Sequence, residues 1–160
     1  MLVFLASRSA ARRRLLQKSG FDVRVIKPPN DPPPDAACDP YKTALRAAKG
    51  KLNAVLPHLA AGALCVAADT VVVCDGRVLG KPQNTDQALA MLRFISGKRQ
   101  KVITGICVGV SGWGSVCDVA EAECEMAVLN EAQMLRIIEE GRAVGVSGGY
   151  AIMEEGDDPF

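Results

Sequence analysis

The sequence predicts a single domain of the α/β or α+β class, and three observations support this. The chain has 160 residues, 49% of them hydrophobic and 23% charged, which is enough to bury one core. Apolar runs typical of strands alternate with amphipathic stretches typical of helices. Glycine and proline separate these segments, and no internal repeat or low-complexity segment is evident. We therefore expect one domain that covers residues 1–160.

The charge balance excludes a general attraction to polyanions. Nineteen Lys and Arg against eighteen Asp and Glu give a net charge of +1, and only 4% of the residues are aromatic. Nucleic-acid-binding domains usually combine a basic surface with aromatic side chains. No stretch approaches a membrane span, and the apolar start MLVFLA is too short for a signal peptide. We expect neither a nucleic-acid nor a membrane partner, so any phosphate must be bound by local groups.

Six cysteines suggest at first a disulfide set or a metal site. There is no C-x-x-C pair, and the single histidine, His58, has no cysteine at zinc-finger spacing. Four of the six lie in or beside strand-like apolar runs, where cysteine acts as a small hydrophobic side chain. We therefore expect reduced cysteines and a cytoplasmic protein. The six are Cys38, Cys65, Cys74, Cys107, Cys117 and Cys124.

The first half of the chain predicts, in order, a strand, a helix, a strand, a helix and a strand. Ser9 suits the N-cap of the first helix, and Gly20 ends that helix. Proline clusters at positions 28–34 forbid regular structure and predict an exposed, stiff loop. The fifth segment is almost wholly apolar and predicts a buried central strand that carries one acid, Asp69. The five segments are Leu2–Ala6, Ala10–Ser19, Phe21–Ile26, Tyr41–Leu56 and Ala63–Val73.

The second half predicts a short strand, a helix, a hairpin and a final helix. Asp75-Gly76 indicates a tight turn before the short strand, which ends at Gly80-Lys81-Pro82. Thr85 is expected to cap the next helix. The hairpin turns around residues 111–114, and Gly141 ends the final helix. The segments are Arg77–Leu79, Thr85–Ser96, Lys101–Val110, Ser115–Val128 and Glu131–Glu140.

The start of the first helix could bind a phosphate. Ser7 and Ser9 precede it, and Arg12, Arg13 and Arg14 lie in its first turns. A helix start offers unpaired backbone N–H groups and the positive end of the helix dipole, to which hydroxyls and a guanidinium add further donors. The alternative is an ordinary capped helix with a solvated basic face.

Asp69 and two lysines form the other candidate groups. A carboxylate inside an apolar strand costs several kcal/mol, on the order of the usual desolvation penalty, unless a cation, a metal or donors compensate it. Asp69 is therefore a candidate general base or metal ligand, the alternative being an acid at the solvent-facing end of the strand. Lys81, fixed between Gly80 and Pro82, and Lys51 on the preceding helix suit contacts with phosphate oxygens. Solvated surface lysines are the alternative for both.

Taken together, these residues resemble the Maf family of nucleotide pyrophosphatases. The family pattern is an opening L-A-S-x-S-P-R-R-x-x-L-L, a helical lysine, A-D-T, G-K-P, S-G, V-x-T-G, and a closing D-K-A-G-x-Y-x-I-Q. The matching residues occur here in the same order and at similar intervals. They are Leu5-Ala6-Ser7-Arg8-Ser9, Arg12, Leu15-Leu16, Lys51, Ala68-Asp69-Thr70, Gly80-Lys81-Pro82, Ser96-Gly97, Val102-Ile103-Thr104-Gly105 and Gly148-Gly149-Tyr150-Ala151-Ile152.

The resemblance implies a fold, a reaction and a set of roles. The fold is an elongated α/β structure of the Maf and ITPase-like type, with a mixed, twisted sheet flanked by helices and two lobes around a cleft. The reaction is the hydrolysis of a nucleoside triphosphate to the monophosphate and pyrophosphate, with Asp69 as proton acceptor. Asp69 and Asp31 would bind a divalent cation, Mg²⁺ or Mn²⁺. The family also makes a homodimer possible. The residues that would hold the triphosphate are Ser7, Ser9, Arg12, Lys51 and Lys81.

The sequence departs from the family pattern at several positions. Ala10 and Ala11 stand where the motif has proline and its first arginine, with Arg8 or Arg13 as candidate replacements. Asp31 is followed by Pro32, where a glutamate is usual. The chain ends at Phe160, where the family continues with a further strand and helix, so we expect a domain that is short at its C-terminus. The other departures are Gln100 for histidine, Gly145-Val146 for Asp-Lys and Met153 for the final glutamine.

Substrate choice in the family follows the positions of Ala11, Thr70 and Met153. Arg, Thr and Gln there resemble enzymes that act on thymidine and uridine triphosphates, whereas Trp, Gln and Glu resemble those that act on 7-methylguanosine triphosphate. Thr70 favours a pyrimidine substrate, although the apolar Met153 cannot make the amide hydrogen bonds that read a base edge. The alternative to an active enzyme is a degenerate member that binds nucleotide with little turnover and has a regulatory role.

Overall fold

The computed structural model describes residues 1–29 and 39–150, which form ten regular elements. The predicted stiff loop at positions 28–34 lies partly outside these residues. Wholly outside them are Asp31, Cys38, Met153 and the acidic end. Short 3₁₀ turns occur at Leu56–His58 and Ser147–Gly149. The elements are β1 (Leu2–Ala6), α1 (Ala10–Lys18), β2 (Asp22–Ile26), α2 (Pro40–Val55), β3 (Leu64–Cys74), β4 (Arg77–Leu79), α3 (Thr85–Ile95), β5 (Arg99–Val110), β6 (Gly114–Glu125) and α4 (Glu131–Glu139).

The strands form one mixed sheet in the order β2-β1-β3-β5-β6, with β4 also paired to β3. β1 runs parallel to β2 and to β3, so that Leu5 lies opposite both Val25 and Val66. The beginning of β3 lies beside the end of β5, because the N–H of Ser111 donates to the carbonyl of Ala63 at 3.0 Å. These two strands are therefore antiparallel, and the predicted mixed sheet is confirmed.

The described residues divide into two units. The first contains residues 1–29, 41–69 and 104–120, and the second contains residues 39–40, 70–103 and 121–150. The three long strands β3, β5 and β6 contribute residues to both units. Because no observation tests the assignment of a single domain, that assignment stays a prediction.

Each unit has its own apolar core. In the first, the inner face of α2 packs on β1, β3 and β5 through Ala48 and Leu52, which contact a cluster that includes Ala67 and Cys107. In the second, α3 and α4 pack together around Leu92 and contact the end of β3 and Leu79 of β4. Helices thus cover the sheet in both units, as the sequence predicted.

Two expectations about the cysteines and caps were wrong. Cys107 and Cys117 form a disulfide, with Cα atoms 4.1 Å apart, although we expected reduced cysteines. The hairpin register explains the pairing, because Cys107 lies three residues before Val110 and Cys117 three residues after Gly114, where the strands end at the turn. Directly opposed residues of antiparallel strands are close enough for this bond.

The cap of α3 is Asn84 and not Thr85. The Asn84 side chain accepts a hydrogen bond from the N–H of Gln87 at 2.9 Å, and Thr85 is already the first helical residue. Asparagine caps helices as readily as serine. By contrast, the predicted N-cap Ser9 is confirmed, since its side chain accepts from the N–H of Arg12.

Candidate active site

The turn between β1 and α1 brings the hydroxyl of Ser7 to the start of the helix. Ser7 is 2% exposed, and its hydroxyl oxygen accepts a hydrogen bond from the N–H of Ser9 at 3.2 Å. Ser9 in turn caps α1 through the N–H of Arg12 at 3.4 Å. Two serines separated by one residue thus lie at a helix start, with the positive end of the helix dipole beside them.

Arg12 connects this helix start to the central strand. Its Nη1 atom donates to the hydroxyl of Ser7 at 3.3 Å and to the carbonyl of Ala68 on β3 at 2.8 Å. Ala68 directly precedes Asp69, so the guanidinium is held next to the strand position that carries the acid. This contact could not be predicted from the sequence, because its acceptor is a main-chain oxygen.

Lys51 and Asp69 form an ion pair in which Lys51 Nζ donates to Asp69 Oδ1. The lysine side chain is 8% exposed and the aspartate side chain 19% exposed. A buried ammonium group requires a partner, and the carboxylate satisfies that requirement. The sequence predicted both residues as candidates, and the structure brings them together.

Two glycines of β5 allow α2 to lie where Lys51 reaches β3. A Cβ atom built on Gly105 would lie 2.4 Å from the carbonyl oxygen of Ala44, which belongs to the helix backbone. On Gly109 it would lie 2.8 Å from a methyl group of Leu56, in the turn that follows the helix. Gly105, Cys107 and Gly109 face the same side of β5. We call these three residues the α2 contact strip.

In the first unit, the described contacts form two pairs, Ser7 with Arg12 and Lys51 with Asp69, and the bond from Arg12 to the Ala68 carbonyl lies one residue from Asp69 on the main chain. Ser7, Arg12 and Lys51 offer hydrogen-bond donors that suit phosphate oxygens. The guanidinium of Arg12 and the ammonium group of Lys51 also carry positive charge. Asp69 is an acceptor that could take a proton from water. The arrangement combines the groups required to bind a polyphosphate and to activate a nucleophile.

The remaining predicted residues lie elsewhere or have other contacts. Lys81 belongs to the second unit and is exposed, with Pro82 buried beside it. Ala11 is exposed in the first turn of α1, and Thr70 follows Asp69 on β3 with a half-buried side chain. Arg8, a candidate replacement for the missing arginine, donates to the carbonyl of Pro28 at 3.2 Å. Asp31 and Met153 lie outside the described residues.

Within residues 1–29 and 39–150, no three His, Cys, Asp or Glu side chains are grouped as they are in a protein metal site. No helix in this part of the chain is long and apolar enough to cross a membrane.

Comparison with known proteins gives matches over almost the whole chain. The model of the family described as Maf-like protein matches residues 2–158. A dTTP/UTP pyrophosphatase from Syntrophomonas wolfei is 37% identical over 155 residues, which are 92% of this chain and 78% of that protein. A dTTP/UTP pyrophosphatase from Anaeromyxobacter dehalogenans is 38% identical over 164 residues, with 95% and 77% covered.

A nucleoside triphosphate pyrophosphatase from Xylella fastidiosa is 32% identical over 158 residues, which cover 98% of this chain and 84% of that protein. Among solved structures, the Ham1 protein of Staphylococcus aureus aligns with a TM-score of 0.48 and 12% identity, over 79% of this chain and 72% of that one. This structural similarity is too distant to assign a function.

Proposed function

The chain belongs to the Maf family, and from this premise we propose that it is a nucleoside triphosphate pyrophosphatase, which releases a nucleoside monophosphate and pyrophosphate. The Lys51–Asp69 ion pair is the observation that carries the proposal. It supplies a carboxylate inside a strand together with a cation, next to the Ser7 and Arg12 contacts at the start of α1. The relatives at 32–38% identity are named as pyrophosphatases of this kind.

We assign the triphosphate to the donors of the first unit and to Lys81. Ser7, Ser9 and the N–H groups at the start of α1 would bind phosphate oxygens, and Arg12 would neutralise part of their charge. Lys51 would contact the triphosphate while it keeps its bond to Asp69. Lys81, placed between Gly80 and Pro82, would add a second ammonium group.

Asp69 is assigned as the proton acceptor for the attacking water. Oδ1 holds the Lys51 ammonium group, which fixes the carboxylate, and Oδ2 would accept the proton as the oxygen of water attacks the α phosphorus and the bond to the α–β bridging oxygen breaks. The leaving group is pyrophosphate, whose developing charge the neighbouring cations would stabilise.

A divalent cation, Mg²⁺ or Mn²⁺, is part of the proposal. The carboxylate of Asp69 fits a magnesium ion that is bound mainly by substrate phosphates, because Mg²⁺ often takes only one or two carboxylates from the protein. Asp69 would hold it, with Asp31 as a second ligand, and the bound ion would neutralise phosphate charge.

The substrate preference proposed here is for pyrimidine nucleotides of the thymidine and uridine type. Thr70 matches the residue that the family uses with these substrates, and two of the relatives described above are named dTTP/UTP pyrophosphatases. We also propose that the protein is cytoplasmic and forms a homodimer, without nucleic-acid or membrane partners.

The test is pyrophosphate release from a panel of triphosphates with Mg²⁺ or Mn²⁺. We expect release, fastest with dTTP or UTP, and a loss of about 10²-fold or more in Asp69→Asn, as for removal of a general base. Asp22→Asn, which changes an exposed strand acid of the same unit, is the matched control and should keep full activity. Thermal stabilisation by nucleotide without release by the wild type would instead indicate the degenerate, regulatory binder.

A further inference from the structure

We propose that the Cys107–Cys117 disulfide undergoes reversible thiol–disulfide exchange, and that its reduction loosens the support of α2 and exposes Lys51. The effect on Lys51 follows from the packing alone. An effect on turnover rests on the proposed function, so the test below measures the two separately.

The disulfide lies directly beneath the helix that carries Lys51. Cys107 is the central residue of the α2 contact strip and is fully buried in the same cluster as Ala48 and Leu52. On the helix, Ala48 lies three positions before Lys51 and Leu52 one position after it. Cys117 packs against the same cluster from β6. The covalent link therefore holds β6 against the strand on which α2 rests.

The disulfide can be reached from solvent through Cys117. This residue is only partly buried and lies on β6, the last strand of the sheet order. The thiols of Cys65 and Cys74 compete poorly as nucleophiles, because burial raises their pKa and thus keeps them protonated. Cys117 is the sulfur that an external thiolate would attack.

A dithiol reductant supplies the two electrons and two protons that reduction of the Cys107–Cys117 disulfide requires. Its first thiolate attacks Cys117 Sγ, the S–S bond of the protein breaks, and Cys107 leaves as a thiolate that takes up a proton. The second thiol of the reductant then attacks the mixed disulfide and releases Cys117 as a thiol. Two electrons and two protons pass to the protein, and the reductant becomes a cyclic disulfide.

Reduction changes the packing at the α2 contact strip. The link between β5 and β6 is lost, and two S–H groups occupy space that the bonded sulfurs filled. Gly105 shows that α2 lies against this strip without spare room, since a Cβ atom there would lie 2.4 Å from the carbonyl oxygen of Ala44 in the helix backbone. We therefore expect α2 to move or to open locally, which would expose the 8% exposed Lys51 side chain.

The test compares oxidised and dithiothreitol-reduced protein by mass spectrometry. Alkylation after denaturation should modify Cys107 and Cys117 only in the reduced sample. In the folded protein, an amine-acetylating reagent should modify Lys51 about threefold or more faster after reduction, as expected for local opening. The exposed Lys49 on the same helix is the internal control and should not change. The melting temperature should fall by several degrees, about the usual effect of losing a cross-link.

Cys117→Ser should behave like the reduced protein under both conditions. Cys124→Ser, on the same strand but outside the disulfide, should behave like the wild type. Alkylation of Cys107 and Cys117 without reductant would overturn the proposal, as would equal Lys51 acetylation in both states. Failure of both states to release pyrophosphate, with Lys51 acetylation still different, would refute the proposed function and leave the exchange site standing.

Discussion

The carboxylate of Asp69 and the ammonium group of Lys51 were both found from the sequence, but for different reasons. Asp69 was evident because an acid inside an apolar strand requires compensation. Lys51 was only one of several lysines, and its helix position alone would fit a solvated surface residue. The family resemblance selected it, and the structure shows its side chain 8% exposed with Asp69 as partner.

The disulfide was missed because pairing of cysteines depends on strand register. The predicted turn at residues 111–114 leaves Cys107 four residues before it and Cys117 three residues after it, so the predicted register does not place them opposite each other. The observed turn is one residue shorter, and in that register the two cysteines face each other across the antiparallel pair. The hydrogen bond from Arg12 to the Ala68 carbonyl leaves no signal in the sequence, because any residue type at position 68 would supply the same main-chain oxygen.

Gln100 provides a test at the residue scale. It is 1% exposed on β5, and neither amide atom has a hydrogen-bond partner among the described residues. An unsatisfied buried polar group costs about 1–3 kcal/mol, so Gln100→Met, which keeps a similar volume, should stabilise the protein by about 1–2 kcal/mol. Urea unfolding measures the change.

The control for this substitution is Gln17→Met on the exposed surface of α1. Its effect should stay within about 0.5 kcal/mol, as for most surface changes. If Gln100→Met instead lowers the free energy of unfolding, the Gln100 amide must have a partner, such as a bound water, that satisfies it.

At the scale of elements, the position of α2 depends on residues that carry no functional group. The helix can approach β5 only because Gly105 has no side chain. The sequence showed the glycine in a strand-like run, which indicates close approach of another backbone. It could not show which backbone approaches, since that depends on the fold of distant segments.

Gly105→Ala should therefore destabilise the protein by about 1–3 kcal/mol, the usual cost of overpacking, and should slow pyrophosphate release because Lys51 moves with α2. Gly50→Ala, on α2 itself, is the matched control. Nothing lies within 4 Å of a Cβ atom there, so this change should stabilise the helix by about 0.5–1 kcal/mol. Equal effects of the two substitutions in urea unfolding would contradict the packing described for the α2 contact strip.

The types of all ten regular elements were predicted, and β1 and β4 also have the predicted ends, whereas the other eight elements differ from the prediction at one end or both. β5 begins at Arg99, two residues before the predicted start, and β6 ends at Glu125, three residues before the predicted end. Cross-strand ion pairs such as Lys101–Glu121, at 3.0 Å, follow the hairpin over this length. Beyond the end of β6, the N–H of Leu129 donates to the side-chain hydroxyl of Ser96 at 2.8 Å and not to a neighbouring strand. Such tertiary contacts decide where a strand ends.

At the scale of the whole molecule, the composition excluded some functions, and only the order of the motifs indicated one. A net charge of +1 says nothing about a local phosphate site. The mixed sheet was predicted through the resemblance, because apolar periodicity alone leaves parallel and antiparallel pairing open. Composition and periodicity alone did not show a division into two units, since β3, β5 and β6 contribute to both, whereas the family resemblance implied two lobes.

Removal of divalent cations should separate activity from folding. We propose that the cation is bound largely by the substrate phosphates, so a chelator should reduce pyrophosphate release about 100-fold or more. The melting temperature without nucleotide should change by less than about 1 °C, because the cation stabilises the fold only if the free protein binds it. Added Mg²⁺ should restore release. A large fall in melting temperature with the chelator would instead indicate a structural metal.

The hairpin tip has a practical consequence for all of these unfolding experiments. The protein has a single tryptophan, Trp113, which lies at this tip and is 88% exposed. Its indole ring is surrounded by water in the native state, much as it would be in the unfolded chain. Intrinsic fluorescence emission should therefore shift little as the cores melt, and circular dichroism or calorimetry will report the transition that tryptophan emission does not detect.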